Sequence, residues 1–191
     1  MTIALKPLQG THQFASAADE LELLRSQLTG QLITAGDADY DAARSTLYIT
    51  LDRRPLAVVL AANAQDVAEA VRFARERGMP LAVRSGGHSL AHLSVIDDAI
   101  VVNLSRMKHV SIDPETRIAR VQAGATSGDL AGPANAHGLA LTTGDTHSVG
   151  MGGLTTGGGI GFMVRKDGLA IDNLLQAQVV TADGQIVTAS E

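Results

Sequence analysis

The chain of 191 residues contains no cysteine and no tryptophan, and aromatic residues make up only 3% of it. The absence of cysteine excludes disulfides, cysteinyl metal sites and any cysteine-linked prosthetic group. The scarcity of aromatic residues means that the core must be built from Leu, Val, Ile and Ala. The longest apolar run, residues 56–62, is too short to span a membrane, and the first twenty residues show no secretory signal. We therefore expect a cytoplasmic protein with no membrane partner.

Basic residues are also in the minority, since 15 Lys and Arg against 20 Asp and Glu give a net charge of −5. Proteins that bind nucleic acid usually carry basic clusters, so we expect no nucleic-acid partner. The sequence offers no Ser-His-Asp arrangement and no carboxylate pair in a supporting context. His88 and His92 have a spacing that suits a metal on a helix, but the glycines before them predict a loop. We identify no catalytic residue and no metal site.

Glycine, by contrast, is concentrated in two clusters. The first lies in the hexapeptide Arg84–Ser89, directly after the apolar residues 80–83, and the second spans Gly150–Gly161. Adjacent glycines allow a sharp turn that brings several N–H groups near an anion, and His88 would reach the same place. The second cluster is interleaved with apolar residues, which favours packing over a flexible linker. Together the clusters predict a site for a phosphate-bearing cofactor, held by backbone dipoles with Arg84 as a candidate cation.

Neither cluster matches the two best-known nucleotide-binding patterns. The chain contains no G-x-G-x-x-G, which excludes the Rossmann fingerprint, and no G-x-x-x-x-G-K-[ST], which excludes the P-loop. The cofactor site must therefore be of another type.

Local patterns predict an α/β unit followed by mostly antiparallel elements. A leader of residues 1–53 includes a helix at Asp19–Leu28, and the rest divides into two subdomains at about 54–108 and 109–191. The first subdomain holds strands at 56–60, 81–84 and 100–104 and a helix that Asn63 and Asp66 begin. In the second, the predicted elements are a hairpin of 110–113 with 117–121, a helix from Thr126 to His137 and a hairpin of 173–182 with 185–189 turned by Asp183-Gly184.

Several motifs in this order resemble one known family. The segments PLAVVLAANAQDVAEAVRFARERGMPLAVRSGGHSL, RVQAG, GMGGLTTGGGIGFMVRKDGLAIDNLL and VVTADGQIVTAS are similar to the FAD-binding domain of the berberine-bridge-enzyme-like flavoprotein oxidases, within the vanillyl-alcohol-oxidase or PCMH-type superfamily. The resemblance covers about residues 54–191. It implies an α+β fold of two α/β subdomains, the first with a small β-α-β sheet and the second with a mostly antiparallel sheet.

The resemblance also implies FAD as cofactor and a covalent 8α-histidyl bond from His88 to the flavin. Without that context, His88 would be interpreted as a turn histidine bonded to the backbone. Thr146 stands where many relatives carry a second, cysteinyl link, so the attachment would be monocovalent. We expect His147 to be solvated or to pack near the cofactor. A role as proton donor is the less favoured alternative. The implied cofactor-binding residues are Arg84, Ser85, Gly86, Gly87, His88, Ser89, Gly144, Thr146, Val149, Gly150, Gly153, Thr156, Gly157, Gly158, Gly159, Gly161 and Val187.

By the same resemblance, the function would be that of an FAD-dependent oxidase, or of its cofactor-binding part. A hydride would pass from an alcohol, sugar or amine C–H to the flavin and then to O₂, with a small-molecule substrate. A non-catalytic or degenerate FAD-binding module is the alternative, and a noncovalent FAD reductase of the cell-wall-precursor type is disfavoured by Ser-Gly-Gly-His-Ser. The family's substrate-binding domain has no counterpart in this chain, whether it is a fragment or a natural truncation. We therefore expect the chain alone to be inactive and to self-associate through an exposed apolar face.

Overall fold

The computed structural model describes residues 16–48 and 51–190, so most of the segment in which we expect no secretory signal lies outside the described residues. The helices are α1 (Ala17–Gln27), α2 (Tyr40–Arg44), α3 (Ala64–Glu76), α4 (Ser127–Ala136), α5 (Met151–Thr156) and α6 (Val164–Asp167), with a 3₁₀ turn at Ile171–Asn173. The strands are β1 (Gln31–Thr34), β2 (Ala57–Leu60), β3 (Leu81–Arg84), β4 (Ile100–Asn103), β5 (Val110–Asp113), β6 (Ile118–Val121), β7 (Gln176–Val180) and β8 (Ile186–Ser190).

The first sheet has the strand order β1-β2-β4-β3. Strands β2, β4 and β3 are parallel, as the β-α-β pattern predicts, and β1 pairs antiparallel with β2. The strands β2 and β4 read as continuous apolar runs because both faces of the sheet are covered. Ile100 packs with α1 and α3 on one face, while Val101 packs with Tyr40 on the other. The sheet extends across the expected boundary at residue 53, because its strand β1 precedes that residue. Helices α1 and α2 precede it as well.

The second half consists of two separate antiparallel hairpins, β5–β6 and β7–β8, and the helices between them. Both hairpins occur where the turn residues predict them, and the α+β fold class is confirmed. The turn of the second hairpin lies on α3, where Arg72 Nη1 donates to the carbonyl of Gly184 over 2.7 Å. Within the described ranges, no helix has the length and apolar character needed to cross a bilayer.

Buried Asp66 connects three chain segments at one end of the first sheet. Its side chain is only 1% exposed. The carboxylate accepts hydrogen bonds from the N–H groups of Thr29 at 2.8 Å, Gly30 at 2.9 Å and Ala62 at 2.8 Å. The sequence predicts Asp66 only as part of the start of α3. The structure shows in addition that the Asp66 carboxylate holds the turn before β1 and the end of β2 together through these hydrogen bonds.

Replacing Asp66 by alanine should lower the free energy of unfolding by about 3 kcal/mol, because the three part-buried hydrogen bonds to the carboxylate are lost and hydrogen bonds to a charged group contribute about 1.5–3 kcal/mol each. Urea unfolding followed by circular dichroism measures the change. Asp39→Ala is the matched control, since Asp39 precedes α2 but makes no side-chain capping bond and is exposed. Equal unfolding midpoints for the two variants would contradict the assigned role of Asp66.

Candidate cofactor-binding site

The first glycine loop leaves the sheet at the carboxyl end of β3. Arg84, the last residue of β3, pairs with Asn103 of β4, and Leu104 N donates to the Arg84 carbonyl over 2.9 Å. Ligands of parallel α/β sheets gather at this edge. Gly87 has a φ of +74°, a left-handed conformation that glycine adopts without steric cost. The chain therefore turns sharply just where His88 follows.

The backbone N–H groups of this loop have no hydrogen-bond acceptor within the described residues. Counting acceptors in residues 16–48 and 51–190, none of the N–H groups from Ser85 to Ser89 donates a hydrogen bond to the protein. Most backbone N–H groups in folded proteins find a partner. Successive N–H groups in a turn form a concavity that binds anions. The loop therefore has the chemistry of a phosphate-binding surface.

The two glycine clusters contact each other backbone to backbone. A Cβ placed on Gly86 would lie 2.8 Å from the Ser148 carbonyl oxygen and 2.9 Å from Gly150 Cα. A Cβ placed on Gly150 would lie 2.9 Å from Gly86 Cα and would overlap Ser85 Oγ. No side chain fits at either position. The structure thus brings together two motifs that are about sixty residues apart in the sequence.

His88 and Ser148 form a side-chain link between the two loops. His88 Nε2 lies 2.9 Å from Ser148 Oγ, and the two residues are 60 positions apart. The hydroxyl of Ser85 is engaged elsewhere, since it donates to the Ala123 carbonyl over 2.5 Å. Sequence reasoning did not single out Ser148. The only available signal was its position between Thr146 and Gly150 in the loop that the resemblance places near the flavin.

The start of the second cluster is helical, although we expected a glycine-rich loop. Helix α5 begins directly after Gly150, despite the low helix propensity of the glycines within it. Met151 N donates to the Ala125 carbonyl over 2.8 Å and Gly152 N to the Ala123 carbonyl over 3.2 Å, while Met151 is buried. These tertiary contacts hold the first turn and outweigh local propensity.

The remaining glycines of the site divide into two groups by what surrounds them. Gly144, Gly159 and Gly161 are packed: a Cβ on Gly159 would lie 2.5 Å from Ala170 Cβ, and one on Gly161 would lie 2.7 Å from Gly144 N. The second group borders open space. Gly153 has no atom within 4 Å of an added Cβ, Gly157 has only two backbone oxygens, the nearer at 3.2 Å, and Gly158 has only one atom, at 3.9 Å. A side chain on Gly157 would press against the Gly153 carbonyl, and the φ of +98° at Gly158 favours glycine there. Of the three, Gly153 has neither reason, and its side of the helix is open to close approach of a ligand.

Arg84 lies beneath the first loop. Its Nη1 donates to the Ala43 carbonyl over 3.2 Å, whereas its Nε is buried with no partner in the described part of the chain. Burial lowers the pKa of the Arg84 guanidinium below its ordinary value. Buried Asn103, which the sequence analysis did not select, also donates to Ala43 over 3.1 Å. No carboxylate in the described part of the chain pairs with Arg84, and a partly buried cation without such a partner is costly, so a nearby anion would stabilise it.

His147 lies against the beginning of α4. The ring occupies the position that a side chain on Gly128 would need, and Gly128 N donates to the His147 carbonyl over 3.0 Å. The neighbouring Asp129 belongs to a capping box with Thr126, and the Thr126 N–H is the main cause that lowers the pKa of its carboxyl. The His147 ring therefore packs on the helix that supports the second loop.

The other candidate residues are distributed as follows. Ser89 Oγ accepts from Leu93 N at 3.2 Å, Thr146 Oγ1 lies 3.0 Å from Asp145 Oδ1, and Thr156 Oγ1 donates to Gly152 O over 2.9 Å. Val149 is bonded through its carbonyl to Ser127 N at 2.8 Å. Val187 pairs with Val179 in the β7–β8 hairpin, which contacts α3, and no hydrogen bond among described residues links it to the glycine loops. Over the same residues, no group of three or more His, Asp or Glu is arranged to hold a metal ion.

Comparison with known proteins identifies the family of this site. The profile of the FAD binding domain matches residues 55–190. Among solved structures, 6-hydroxy-D-nicotine oxidase from Arthrobacter nicotinovorans is 38% identical with a TM-score of 0.83, over 85% of this chain and 36% of that one. BBE-like 1 from Physcomitrella patens is 32% identical with a TM-score of 0.83, over 89% of this chain and 37% of that one.

A third solved structure, xylooligosaccharide oxidase from Myceliophthora thermophila C1 in complex with xylobiose, is 34% identical with a TM-score of 0.80, over 90% of this chain and 37% of that one. The chain also spans about a third of the length of the curated relatives that it matches, 35% and 37% of two of them. The residues that match the family profile, 55–190, include both glycine loops. The chain therefore belongs to the FAD-binding domain family of the berberine bridge enzyme-like flavoproteins, and FAD is its cofactor.

Proposed function

We propose that this chain is the cofactor-binding part of an FAD-dependent oxidase. The observation that carries the proposal is the meeting of the two glycine loops, which unites His88, a row of free N–H groups and an open glycine surface. When bound, FAD supplies the flavin ring that accepts a hydride. The chain's own residues bind the cofactor, orient it and neutralise its negative charge.

The described residues fit the chemistry of FAD. The N–H groups of Ser85–Ser89 suit the diphosphate oxygens, and the unpartnered Nε of Arg84 lies beneath the same loop. Gly153 and Gly158 border open space that allows close approach of the cofactor. Gly86, Gly144, Gly150, Gly159 and Gly161 serve the site by letting the loops pack. We also assign Ser89, Thr146, Val149, Thr156 and Val187 to the cofactor-binding set on the family resemblance.

We propose further that His88 holds the flavin covalently. Attachment replaces one C–H bond of the flavin 8α-methyl and the imidazole N–H by a C–N bond. The two electrons and two protons released reduce O₂ to H₂O₂, so the step is balanced. With Thr146 in place of the second linking residue and no cysteine in the chain, this bond is the single attachment.

The substrate class proposed is a small molecule with an oxidisable C–H next to a hydroxyl or an amine. The names of two similar proteins, a hydroxynicotine oxidase and a xylooligosaccharide oxidase, support amines and sugars as the first candidates. O₂ is the proposed electron acceptor. The fold alone does not select among these substrates.

Residues 1–191 loaded with FAD should be reduced by dithionite but should form no measurable peroxide with sugars, alcohols or amines. Catalysis needs a substrate held against the flavin, and such positioning can contribute about 7–11 kcal/mol. The matched part makes up only 35% and 37% of the length of two relatives. The measurement is peroxide release, with the Arthrobacter nicotinovorans oxidase as positive control. Peroxide formation by residues 1–191 would contradict the proposal that substrate oxidation requires additional chain.

A longer form of the protein, if encoded, should oxidise at least one member of that panel. Failure of such a form with every substrate, despite bound FAD, would favour the non-catalytic module instead.

Self-association is also part of the proposal. Ile160 is 74% exposed and Phe162 is 85% exposed beside the second glycine cluster, which supports an apolar contact surface there. Sedimentation of the wild type and of Phe162→Ser would test it. A cytoplasmic location stays a prediction from the sequence.

A further inference from the structure

We propose that Ser148 is the positioning residue of His88: its hydroxyl accepts a hydrogen bond from Nε2–H and thereby selects the imidazole tautomer in which Nδ1 carries the free lone pair. This inference rests on the proposed covalent role of His88. It deepens that role by naming the nitrogen that bonds to the flavin and the residue that prepares it.

The geometry of the ring supports the assignment. A neutral imidazole has one nitrogen that donates and one that accepts, whereas a serine hydroxyl can serve in either role. Only the tautomer with Nε2–H donating to the hydroxyl leaves a lone pair on Nδ1, and a nucleophilic Nδ1 needs that lone pair. Nε2 lies 2.9 Å from Ser148 Oγ, which is its protein partner. Nδ1 has no hydrogen-bond partner among the residues that the structure describes, and neither nitrogen contacts a carboxylate there. Nδ1 is thus the ring nitrogen that the protein leaves available.

Ser148 itself is held firmly from both sides. The carbonyl of His147 accepts from Gly128 N at 3.0 Å, and the carbonyl of Val149 accepts from Ser127 N at 2.8 Å. These donors are the first residues of α4, whose start is stabilised by the capping box of Thr126 and Asp129. The backbone that carries Ser148 is therefore fixed to a helix end, and from it the exposed hydroxyl reaches His88.

The backbone of Ser148 also contacts the loop that carries His88. The Ser148 carbonyl lies so close to Gly86 that an added Cβ there would be only 2.8 Å away. The backbones of the two loops and the side chains of His88 and Ser148 consequently form two separate contacts between the same segments. The imidazole cannot turn without breaking its hydrogen bond to the hydroxyl, and the backbone contact keeps the two loops at the distance that this bond needs.

The experiment compares covalent attachment in Ser148→Ala, Ser148→Thr and wild type. Apoprotein is mixed with FAD, and flavin that stays with the acid-precipitated polypeptide is followed over time. Partners that orient a functional histidine are worth roughly 10–100-fold in metal sites, so Ser148→Ala should slow attachment by about tenfold or more. Total FAD binding should be unchanged, and Ser148→Thr, which keeps the hydroxyl, should restore the rate. Ser111→Ala is the matched control, since Ser111 is exposed on β5 and its side chain makes no hydrogen bond to another described residue.

A second measurement does not depend on attachment. Nitrogen chemical shifts of His88 in the wild-type apoprotein report the tautomer directly, and we expect Nε2–H. An Nδ1–H tautomer would overturn the proposal, as would an unchanged attachment rate in Ser148→Ala. If wild type carries no covalent flavin, or if His88→Ala keeps it, the proposed role of His88 fails instead, which is a distinguishable result.

Discussion

His88→Ala should lose all covalently attached flavin, so that no yellow colour remains with the polypeptide after acid precipitation. The imidazole is the nucleophile of the proposed C–N bond, and alanine offers no atom that could replace it. The cradle of N–H groups in the same loop is backbone and survives the substitution. We therefore expect FAD to bind noncovalently to the variant and to dissociate on denaturation. Flavin fluorescence of the protein band after denaturing electrophoresis measures the loss.

The matched control is His92→Ala. His92 lies only four residues further along, and its ring packs edge-on against Tyr48 with centroids 5.8 Å apart. It should keep covalent flavin at the wild-type level. A wild-type protein that releases all its flavin into acid would refute covalent attachment, and retained flavin in His88→Ala would assign the bond to another residue.

Gly150→Ala should abolish FAD binding and destabilise the fold. The added methyl would lie 2.9 Å from Gly86 Cα and would overlap the Ser85 hydroxyl, so the two loops must separate. Overpacking of this kind typically costs about 1–3 kcal/mol, and separation of the loops also removes the link between His88 and Ser148. Quenching of FAD fluorescence measures binding, and thermal unfolding measures stability.

Gly132→Ala provides the comparison for this variant. Gly132 is an exposed residue of helix α4 with no atom within 4 Å of an added Cβ. There the gain in helix propensity is opposed by the following Pro133, so stability should change by less than about 1 kcal/mol, and FAD binding should not change. If Gly150→Ala bound FAD as well as Gly132→Ala, the contact between the two clusters would not be required for the site.

Most individual elements could be predicted from the sequence because their signals are local. The apolar runs of β2 and β4, the caps of α3 and α4 and the Asp183-Gly184 turn each depend on a few neighbouring residues, and all appear as expected. Helix α5 was missed for the opposite reason. Its glycines oppose helix formation locally, and bonds to the distant carbonyls of Ala123 and Ala125 overcome that preference.

The roles of particular residues in the site were harder to predict. Asp66 was expected only at the start of α3, yet it bonds to N–H groups on two other segments. Arg84 stays a predicted cation for the diphosphate, and the sequence did not indicate that its Nη1 donates to Ala43 or that its Nε lies buried beneath the loop. Side-chain direction depends on the surrounding chain, which spacing along the sequence does not report.

The sequence by itself determined the α+β class, the family, FAD as cofactor and the absence of a cysteinyl link, because these depend on residue types and on motifs in linear order. Only the tertiary structure decided that Gly86 and Gly150 pack against each other and that Ser148 bonds to His88. Those pairs are about sixty residues apart, and their contact is produced by the parallel sheet on one side and by α4 on the other. Long-range packing of this kind leaves no periodic signal in the chain, so it had to be seen in three dimensions.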